Sequence, residues 1–194
     1  IKDNYIYIAT NEIGVLIINN NGGDYSYLKP DGPLENDIFS VETLNNKTWV
    51  SYGNYTEYFN PYPLKFSGLS NYDENLNSWF NISKDSIPEL AVNLNNISIN
   101  PFNNDNVFIS SFEGGLLEIE NLNIADFYDN NNSGLESLSI DDPLYESVRI
   151  SDIEFDQNGV LWILNSRIDS PLKSYNLENN SWNSYDFTEI INDC

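Results

Sequence analysis

Of the residue types that most often catalyse reactions, this chain lacks histidine, has a single cysteine and is rich in carboxylates. It contains no histidine, so triads and metal sites built on histidine are excluded. Its one cysteine, Cys194, is the last residue and has no basic residue near it in the sequence, which disfavours a thiol nucleophile. Carboxylates are plentiful, and a glycosidase needs only two, but nothing in the sequence sets the distance between the candidates Asp37, Glu113 and Asp152. We therefore predict a non-enzymatic protein without catalytic or cofactor-binding residues, with a carboxylate enzyme as the weaker hypothesis.

One short segment resembles the start of a calcium-binding loop. Asp156-Gln-Asn-Gly159 has the spacing of the first residues of an EF-hand. The twelfth position of such a loop carries Glu, whereas Arg167 stands there in this chain. The segment also lies between two predicted strands. We therefore expect a plain β-turn and no metal site.

Aromatic residues cluster between two predicted strands, in the segment Gly53–Ser67. Such a cluster on a loop suits stacking on sugar rings or gripping a protein partner. The alternative is that the rings pack over the edge of the sheet and stiffen the loop. We take Tyr55, Tyr58, Phe59 and Tyr62 as candidate binding residues, and we expect Tyr55 and Tyr58 at the tip to be free.

The net charge restricts the partners. The chain carries 30 acidic and 8 basic residues, for a net charge of −22. Nucleic acid is excluded and an anionic membrane surface is disfavoured, because both need a basic footprint. No stretch resembles a transmembrane helix, so we expect no direct membrane insertion. Such a charge is typical of a soluble, self-repelling surface, and the alternative of divalent-cation binding has no ordered ligand motif to support it.

The elements that would position these residues repeat along the chain. The clearest unit contains β-like runs at Ile150–Phe155, Leu161–Leu164, Leu172–Leu177 and Ser181–Tyr185, with a turn cluster after the first. Similar units recur with a period of roughly fifty residues, which indicates stacked or radial repeats. No stretch has convincing helical periodicity.

We divide the chain into four units at about 1–31, 32–88, 89–140 and 141–194, as parts of a single domain. Four short strands per unit predict an all-β fold, a β-propeller with four-stranded antiparallel blades. Three blades are complete and the first is partial, because its opening strand is missing. A right-handed β-helix is the rival, although its coils are usually shorter and more regular.

Three full blades and one partial blade would leave open sheet edges, and such edges invite aggregation. Either four blades close in an unusual way or the native protein has more blades. We expect the second, with this chain as a fragment of a larger propeller and the segment 188–194 leading into a further blade. The two longest links are Gly53–Ser67 and Asp129–Val148. Because strand direction alternates within a blade, both links should emerge on the same face, where function is usually placed.

The units resemble the two-component-regulator type of propeller repeat. The second unit carries Gly32-Pro-Leu34, Asn36-Asp-Ile38, Val41 and Trp49-Val50 at matching positions, and the fourth carries Leu161-Trp-Ile163. This repeat is fairly specific for the fold and weakly specific for function. It implies a propeller and assigns no catalytic residue.

Two further segments, Asn60-Pro-Tyr-Pro-Leu64 and Ser170-Pro-Leu-Lys173, are similar to features of the PorZ family, cell-surface components of the type IX secretion system of Bacteroidetes. The resemblance implies two propellers and a small C-terminal β-domain, with this chain forming part of the first propeller. It also implies a non-enzymatic role at the extracellular side of the outer membrane or in the periplasm.

The implied partners are secretion-system proteins of the PorU-like sortase complex or an anionic lipopolysaccharide glycan. The alternative is the periplasmic sensor propeller of a hybrid two-component system, which would bind glycan fragments.

Overall fold

The computed structural model describes residues 4–11, 14–138, 144–187 and 189. The chain divides into two compact units, Ile1–Gly32 and Pro33–Cys194, and each is described by itself below. Cys194 lies outside the described residues, as does all of the predicted lead into a further blade except residue 189.

The first unit is one antiparallel sheet of three strands. These are β1 (Tyr5–Ala9), β2 (Val15–Asn19) and β3 (Tyr25–Leu28), hydrogen-bonded in chain order. Gly14 precedes β2 at φ +81°, and a Cβ there would lie 2.4 Å from the carbonyl oxygen of Leu28, so the turn requires glycine. The sheet has the three strands expected of the partial blade.

The second unit begins with a four-stranded meander. It comprises β4 (Ser40–Leu44), β5 (Lys47–Ser51), β6 (Leu69–Asp73) and β7 (Ser78–Ile82), paired in that order. A single 3₁₀ turn, Lys84–Ser86, follows in the link to the next sheet.

The third set of strands is β8 (Leu94–Ile99), β9 (Asn106–Glu113), β10 (Gly115–Glu120) and β11 (Asn123–Tyr128). Each pairs antiparallel with the next. Only Gly114 separates β9 from β10, so this blade has almost no loop at the position where the second blade carries the long aromatic link.

The fourth set is β12 (Val148–Phe155), β13 (Val160–Asn165), β14 (Leu172–Asn176) and β15 (Ser181–Tyr185), again an antiparallel meander. The first strands of the three complete sets, β4, β8 and β12, lie side by side, as the innermost strands of neighbouring blades do. The predicted fold class is confirmed: the chain is all-β, with four-stranded antiparallel blades and one partial blade.

The third and fourth blades are joined by a ladder that the sequence did not predict. Val148 pairs with Glu113 and Arg149 with Phe112, at the extended ends of β12 and β9. Both strands have eight residues, whereas the other strands have four to six. The additional residues connect the two blades into one continuous sheet.

Asparagine forms the turns between strands. Ten non-glycine residues among those described have positive φ, and seven of them are Asn. Asn tolerates the left-handed region better than other residues because its short amide can bond locally. The Asn-rich clusters predict tight turns, and this is confirmed at Asn45-Asn46, Asn77, Asn121 and Asn180.

The core consists of two layers, one on each side of the third blade. Val107 and Ile109 of β9 pack in a cluster with Trp49 and Leu69 from the second blade. Phe108, which points to the opposite face, packs in a cluster with residues of the fourth blade such as Ile153. Alternation along a strand thus buries both faces of β9.

Phe108 supports the second core layer and provides a test of it. Its side chain is fully buried, with ring contacts to Tyr128, Phe155 and Tyr175 at centroid distances of 6.4, 5.7 and 6.3 Å. Phe108→Ala should lower the free energy of unfolding by about 3–5 kcal/mol in denaturant titrations, because it leaves a cavity. Phe102→Ala, at a ring that is 73% exposed, should cost less than about 1 kcal/mol. Equal effects would contradict this packing arrangement.

Candidate functional site

The aromatic loop Gly53–Ser67 contains a tight turn. The backbone N–H of Thr56 donates to the carbonyl of Asn60 at 3.0 Å, and the N–H of Phe59 donates to the carbonyl of Thr56 at 2.8 Å. The Thr56 hydroxyl accepts from the N–H groups of Tyr58 and Asn60, at 3.3 and 3.2 Å. These bonds present Tyr58 and Phe59 at the tip.

Asn93, a buried residue with φ +49°, attaches the rest of this loop to the link that follows β7. Its side-chain amide donates to the carbonyl of Pro61 at 2.8 Å and accepts from the N–H of Lys65 at 2.7 Å. Its own N–H donates to the carbonyl of Lys65 at 2.9 Å. The loop is long but has a fixed base.

The two tip tyrosines behave differently. Tyr58 is 83% exposed, as expected. Tyr55 is half-buried, with its ring 4.6 Å from Phe112 and 5.1 Å from Phe39, so the expectation that it is free is wrong. Burial, and after it the charge of Asp152, raises the pKa of Tyr55. The loop thus uses one aromatic residue as an anchor and leaves its neighbours available.

An open cleft of about 490 Å³ lies beside this tip, a size within the range of about 300–1,000 Å³ of small-molecule sites. One part of its lining is aromatic and the other is polar. We call it the aromatic cleft, and its residues are Tyr58, Phe59, Phe112, Ser151, Ser166 and Arg167. Of the four candidates from the sequence, only Tyr58 and Phe59 line it.

Arg167 gives the cleft a cation. It lies in the link between β13 and β14, is exposed, and forms no ion pair or hydrogen bond with the described residues. The chain's other arginine, Arg149, is buried and paired with Glu113. The sequence did not point to Arg167 as a site residue. The one available signal was that the chain contains only two arginines. The sequence also did not point to Phe112, which is concealed in the apolar run of β9.

Two residues of the cleft have an unfavourable backbone conformation. Only three described residues other than Asn and Gly have positive φ, and Phe59 (54°) and Arg167 (62°) are two of them. The left-handed region costs a bulky side chain free energy, and such strain concentrates at functional sites. Phe59 and Arg167 therefore line the cleft in a backbone conformation that is unfavourable in free energy.

Another sequence candidate, Tyr62, belongs to a polar network at the base of the loop. The Tyr145 hydroxyl donates to Glu113 Oε1 at 2.8 Å, and Ser147 Oγ donates to Glu113 Oε2 at 2.8 Å. Arg149 Nε is 3.2 Å from the same Glu113 oxygen. The Tyr62 hydroxyl lies 3.3 Å from that of Tyr145, and we call these five residues the tyrosine clasp.

The tyrosine clasp connects the two long links. Tyr62 lies in Gly53–Ser67, while Tyr145 and Ser147 lie in Asp129–Val148, so both links do emerge on the same face. Its centre is the Glu113–Arg149 ion pair, whose side chains are 10% and 8% exposed. This pair joins the ends of β9 and β12, and removing one partner would leave an uncompensated buried charge. Glu113 in turn accepts hydrogen bonds from Tyr145 and Ser147 of one link, and Tyr145 meets Tyr62 of the other.

The carboxylates proposed for a glycosidase have different environments. Glu113 is held by Arg149, and Asp37 is almost fully exposed beside Lys65 at 3.7 Å. Asp152 accepts a hydrogen bond from Asn96 at 3.1 Å. Burial, and after it the charge of Asp152, raises the pKa of Glu154, which lies two residues further along β12.

The Asp156–Gly159 segment is the expected β-turn. Asp156 Oδ1 accepts from the N–H groups of Asn158 and Val160 at 2.8 and 3.0 Å, and Oδ2 accepts from the Trp162 indole at 3.1 Å. The bond from Val160, and then that from Trp162, lowers the pKa of Asp156. Within the described part of the chain, no group of three or more acidic, Cys or His side chains is arranged to hold a metal ion.

Comparison with known proteins identifies the fold class. No protein-family model and no curated protein sequence matches the chain. Several solved structures do match it, and the architecture that they share with it is that of propeller blades. In particular, the chain is similar to PorZ of Porphyromonas gingivalis, an essential bacterial surface component of the type IX secretion system. The TM-score is 0.74 at 19% identity, over 98% of this chain and 25% of PorZ.

Two other structures are similar over most of the chain. The extracellular domain assigned to a hybrid two-component system, BT3049 of B. thetaiotaomicron, has a TM-score of 0.50 and 16% identity, over 95% of this chain and 22% of that one. The dihydro-heme d1 dehydrogenase NirN has a TM-score of 0.55 and 8% identity, over 94% of this chain and 34% of that one. The chain therefore spans only about a quarter to a third of these structures, and at such identities the likeness shows the fold. The resemblance inferred from the sequence is confirmed at that level.

No helix of the described residues is long and apolar enough to cross a membrane. Of the three similar structures, PorZ is a surface component and the two-component-system domain is extracellular.

Tyr62→Phe tests whether the tyrosine clasp holds the aromatic loop. Loss of the hydroxyl that meets Tyr145 should speed amide hydrogen exchange in residues 53–62 by about threefold to tenfold, as expected for one lost hydrogen bond. Tyr58→Phe is the matched control, because the Tyr58 hydroxyl is exposed on the same loop. Equal exchange in the two variants would mean that the clasp does not restrain the loop.

The ionisation of Tyr62 provides a second test. Its hydrogen bond with Tyr145, followed by burial and the Glu113 charge, raises the pKa of Tyr62 from 10.0 to about 12. Because the folded-state pKa is the higher one, this stabilisation is complete below pH 10 and is lost as the pH rises through 12. Ring-carbon NMR should therefore find Tyr62 protonated at pH 10, and Tyr145→Phe should lower the midpoint. An unchanged midpoint in that variant would contradict the assignment.

Proposed function

We propose that this chain is a non-enzymatic, secretion-associated propeller module of the PorZ kind, and that the aromatic cleft is its binding site. In this role it works in a type IX secretion attachment complex and binds lipopolysaccharide glycan or secretion-system proteins such as a PorU-like sortase. The observation that carries the proposal is the cleft beside Tyr58, Phe59 and Arg167, on the face where the long links emerge.

The chemistry of the aromatic cleft suits both kinds of partner. Tyr58 and Phe59 are 83% and 60% exposed. The Phe59 ring stacks on Tyr55 at a centroid distance of 5.6 Å, so the Tyr58 ring and the other face of Phe59 are available for stacking on a sugar or an apolar side chain. Arg167 supplies a rigid fork of donors that matches carboxylate and phosphate groups. Aromatic residues and arginine are also the types enriched at protein-binding hot spots.

The strongly negative net charge of the chain makes the position of Arg167 important for binding an anionic glycan. A net charge of −22 repels an anionic glycan at a distance, although physiological salt screens this beyond about 8 Å. Within that distance, the Arg167 guanidinium in the cleft provides a local attraction. This arrangement would admit an anionic group at one point while the rest of the surface disfavours it.

The extracellular side of the outer membrane or the periplasm is the location that we propose. It is supported by the likeness to a bacterial surface component and to an extracellular domain, and the acidic surface is compatible with it.

A second candidate function is the sensor propeller of a two-component system, which would bind short glycan fragments. The likeness to the extracellular domain of BT3049 favours it. A transmembrane helix and kinase encoded downstream of this segment would support the sensor, whereas a C-terminal secretion-type β-domain would support the PorZ-like role.

Tyr58→Ala and Arg167→Ala test the proposed function. Each should weaken binding by about tenfold, since a stacking contact or a charge-assisted bond contributes about 1–3 kcal/mol. The probes are lipopolysaccharide from a Bacteroidetes bacterium with a type IX system and, separately, its purified PorU-type sortase, measured by surface plasmon resonance. Melting temperatures should change little, because both side chains are exposed.

Tyr25→Ala is the control, at a tyrosine that is 68% exposed in the first unit. It should bind both probes like the unaltered chain. Binding of neither probe, or equal binding by all three variants, would overturn the assignment of the cleft.

A further inference from the structure

We infer that Arg149 is the positioning residue of the aromatic cleft, and that it couples binding in the cleft to the tyrosine clasp. This coupling rests on the proposed function, because it concerns the affinity of the same site. The Arg149 side chain is buried and does not line the cleft. It acts by holding the two walls of the cleft at one spacing.

The two walls of the cleft come from different blades. The aromatic wall consists of Tyr58, Phe59 and Phe112, and the polar wall of Ser151, Ser166 and Arg167. The first belongs to the second and third blades and the other to the fourth. Among the residues that the structure describes, no hydrogen bond joins one wall directly to the other. The spacing of the walls is therefore set by residues outside the cleft.

The main chain of Arg149 is attached to the aromatic wall. Arg149 pairs with Phe112 in the β9–β12 ladder. The buried Phe112 ring lies 4.6 Å from the ring of Tyr55 and 6.5 Å from that of Phe59. The Phe112 N–H also donates at 3.1 Å to the carbonyl of Asn93, the residue that fixes the base of the loop. The ladder thus places Arg149 against the support of the aromatic wall.

The same main chain is attached to the polar wall. The carbonyl of Arg149 accepts from the Ser166 N–H at 2.7 Å and from the side-chain amide of Asn165 at 3.4 Å. Asn165 is fully buried, and Ser166 lies in the cleft directly before Arg167. Arg149 therefore joins the support of one wall to the backbone of the other.

The side chain of Arg149 fixes this main chain. Its Nε lies 3.2 Å from Glu113 Oε2 and donates to Ser147 Oγ at 2.9 Å, and its Nη2 donates to the Tyr145 hydroxyl at 3.2 Å. Hydrogen bonds to an ionised group are stronger than neutral ones. Glu113 directly follows Phe112 in β9, so the guanidinium and the main chain of Arg149 bind the same strand.

A cleft held in this way binds its ligand with a smaller loss of conformational entropy than a mobile one. Weakening the clasp should therefore weaken binding, although no clasp residue lines the cleft. Coupling between two sites is reciprocal, so a ligand in the cleft stabilises the clasp by the same factor. The link that carries Tyr145 and Ser147 thus responds to occupancy of the cleft.

Glu113→Gln tests the positioning role in the full chain without a ligand, by amide hydrogen exchange. Loss of the charge that holds Arg149 should speed exchange at Ser166 by about tenfold more than at Val107, which lies at the other end of β9. A loss of global stability alone would speed both amides equally, so equal acceleration would overturn the inference.

Tyr145→Phe is a milder variant that serves if Glu113→Gln does not fold. It removes one contact of Glu113 and one of Arg149, so exchange at Ser166 should speed by about threefold relative to Val107. Acceleration confined to Val107, or equal at both amides, would contradict the positioning role.

Asp105→Asn is the matched control. The Lys47–Asp105 ion pair joins the second and third blades at the ends of β5 and β9 that are farthest from the aromatic loop. Its loss should change exchange at Ser166 relative to Val107 by less than about twofold, because distant sites act independently. An effect as large as that of Glu113→Gln would show that the clasp has no special role.

The coupling itself is measured with the lipopolysaccharide and sortase probes described above, by surface plasmon resonance. Glu113→Gln should weaken the probe that binds by about tenfold, and that probe should slow exchange at Ser147 in the unaltered chain. Unchanged affinity of Glu113→Gln for a probe whose binding Arg167→Ala weakens would overturn the coupling. If neither probe binds the unaltered chain, the proposed function fails, while the exchange measurements without ligand still decide the role of Arg149.

Discussion

Burial of the third blade on both faces is the constraint on which the second unit depends. Seven of the eight residues of β9 are buried, because Val107 and Ile109 pack toward the second blade while Phe108 packs toward the fourth. A register shift of one residue would move Phe108 to the side of the second blade and Val107 and Ile109 to the side of the fourth, so that neither core layer could pack as it does. The second and fourth blades are therefore held in fixed orientations against the third blade. The links between their strands lie at defined positions on one face.

That constraint explains how so irregular a loop can carry a binding surface. The turn at Thr56 shapes the tip, but Phe112 at the end of β9 is the base on which Tyr55 rests. The same strand ends in Glu113, which centres the network that joins the two long links. One buried strand thus supports both the packing of the blades and the placement of the site. Tyr58, Phe59 and Arg167 meet because β9 lies between the blades that carry them.

Much of the fold could be predicted from alternation and turn chemistry, since most runs of Val, Ile, Leu and aromatic residues next to Asn-rich turns became strands of the expected blades. The site was less predictable. Tyr55 and Tyr58 are the same residue type three positions apart, and the positions of Phe112 and Phe39, which are distant in sequence or on another segment, decide which of them is buried. Arg167 is distant from the aromatic loop in sequence, so its presence in the cleft depends on blade-to-blade geometry. The ladder between β9 and β12 depends on two strands being slightly longer than the repeat requires, and no local pattern encodes that.

The β9–β12 ladder also bears on how such a propeller can evolve. Blades that contact each other only through side chains can be duplicated, deleted or exchanged as whole units, because all the backbone hydrogen bonds of such a blade lie within it. Where Val148 and Arg149 pair with the strand of the preceding blade, the junction consists of main-chain bonds that involve both blades. The third and fourth blades would therefore be inherited as a pair, and a recombination boundary between them would leave main-chain donors and acceptors of both partners exposed. The second and third blades have no such ladder in the described part of the chain, although single main-chain bonds such as that from Gly53 N–H to the carbonyl of Leu94 join them, and a boundary there would disrupt less of the backbone pairing.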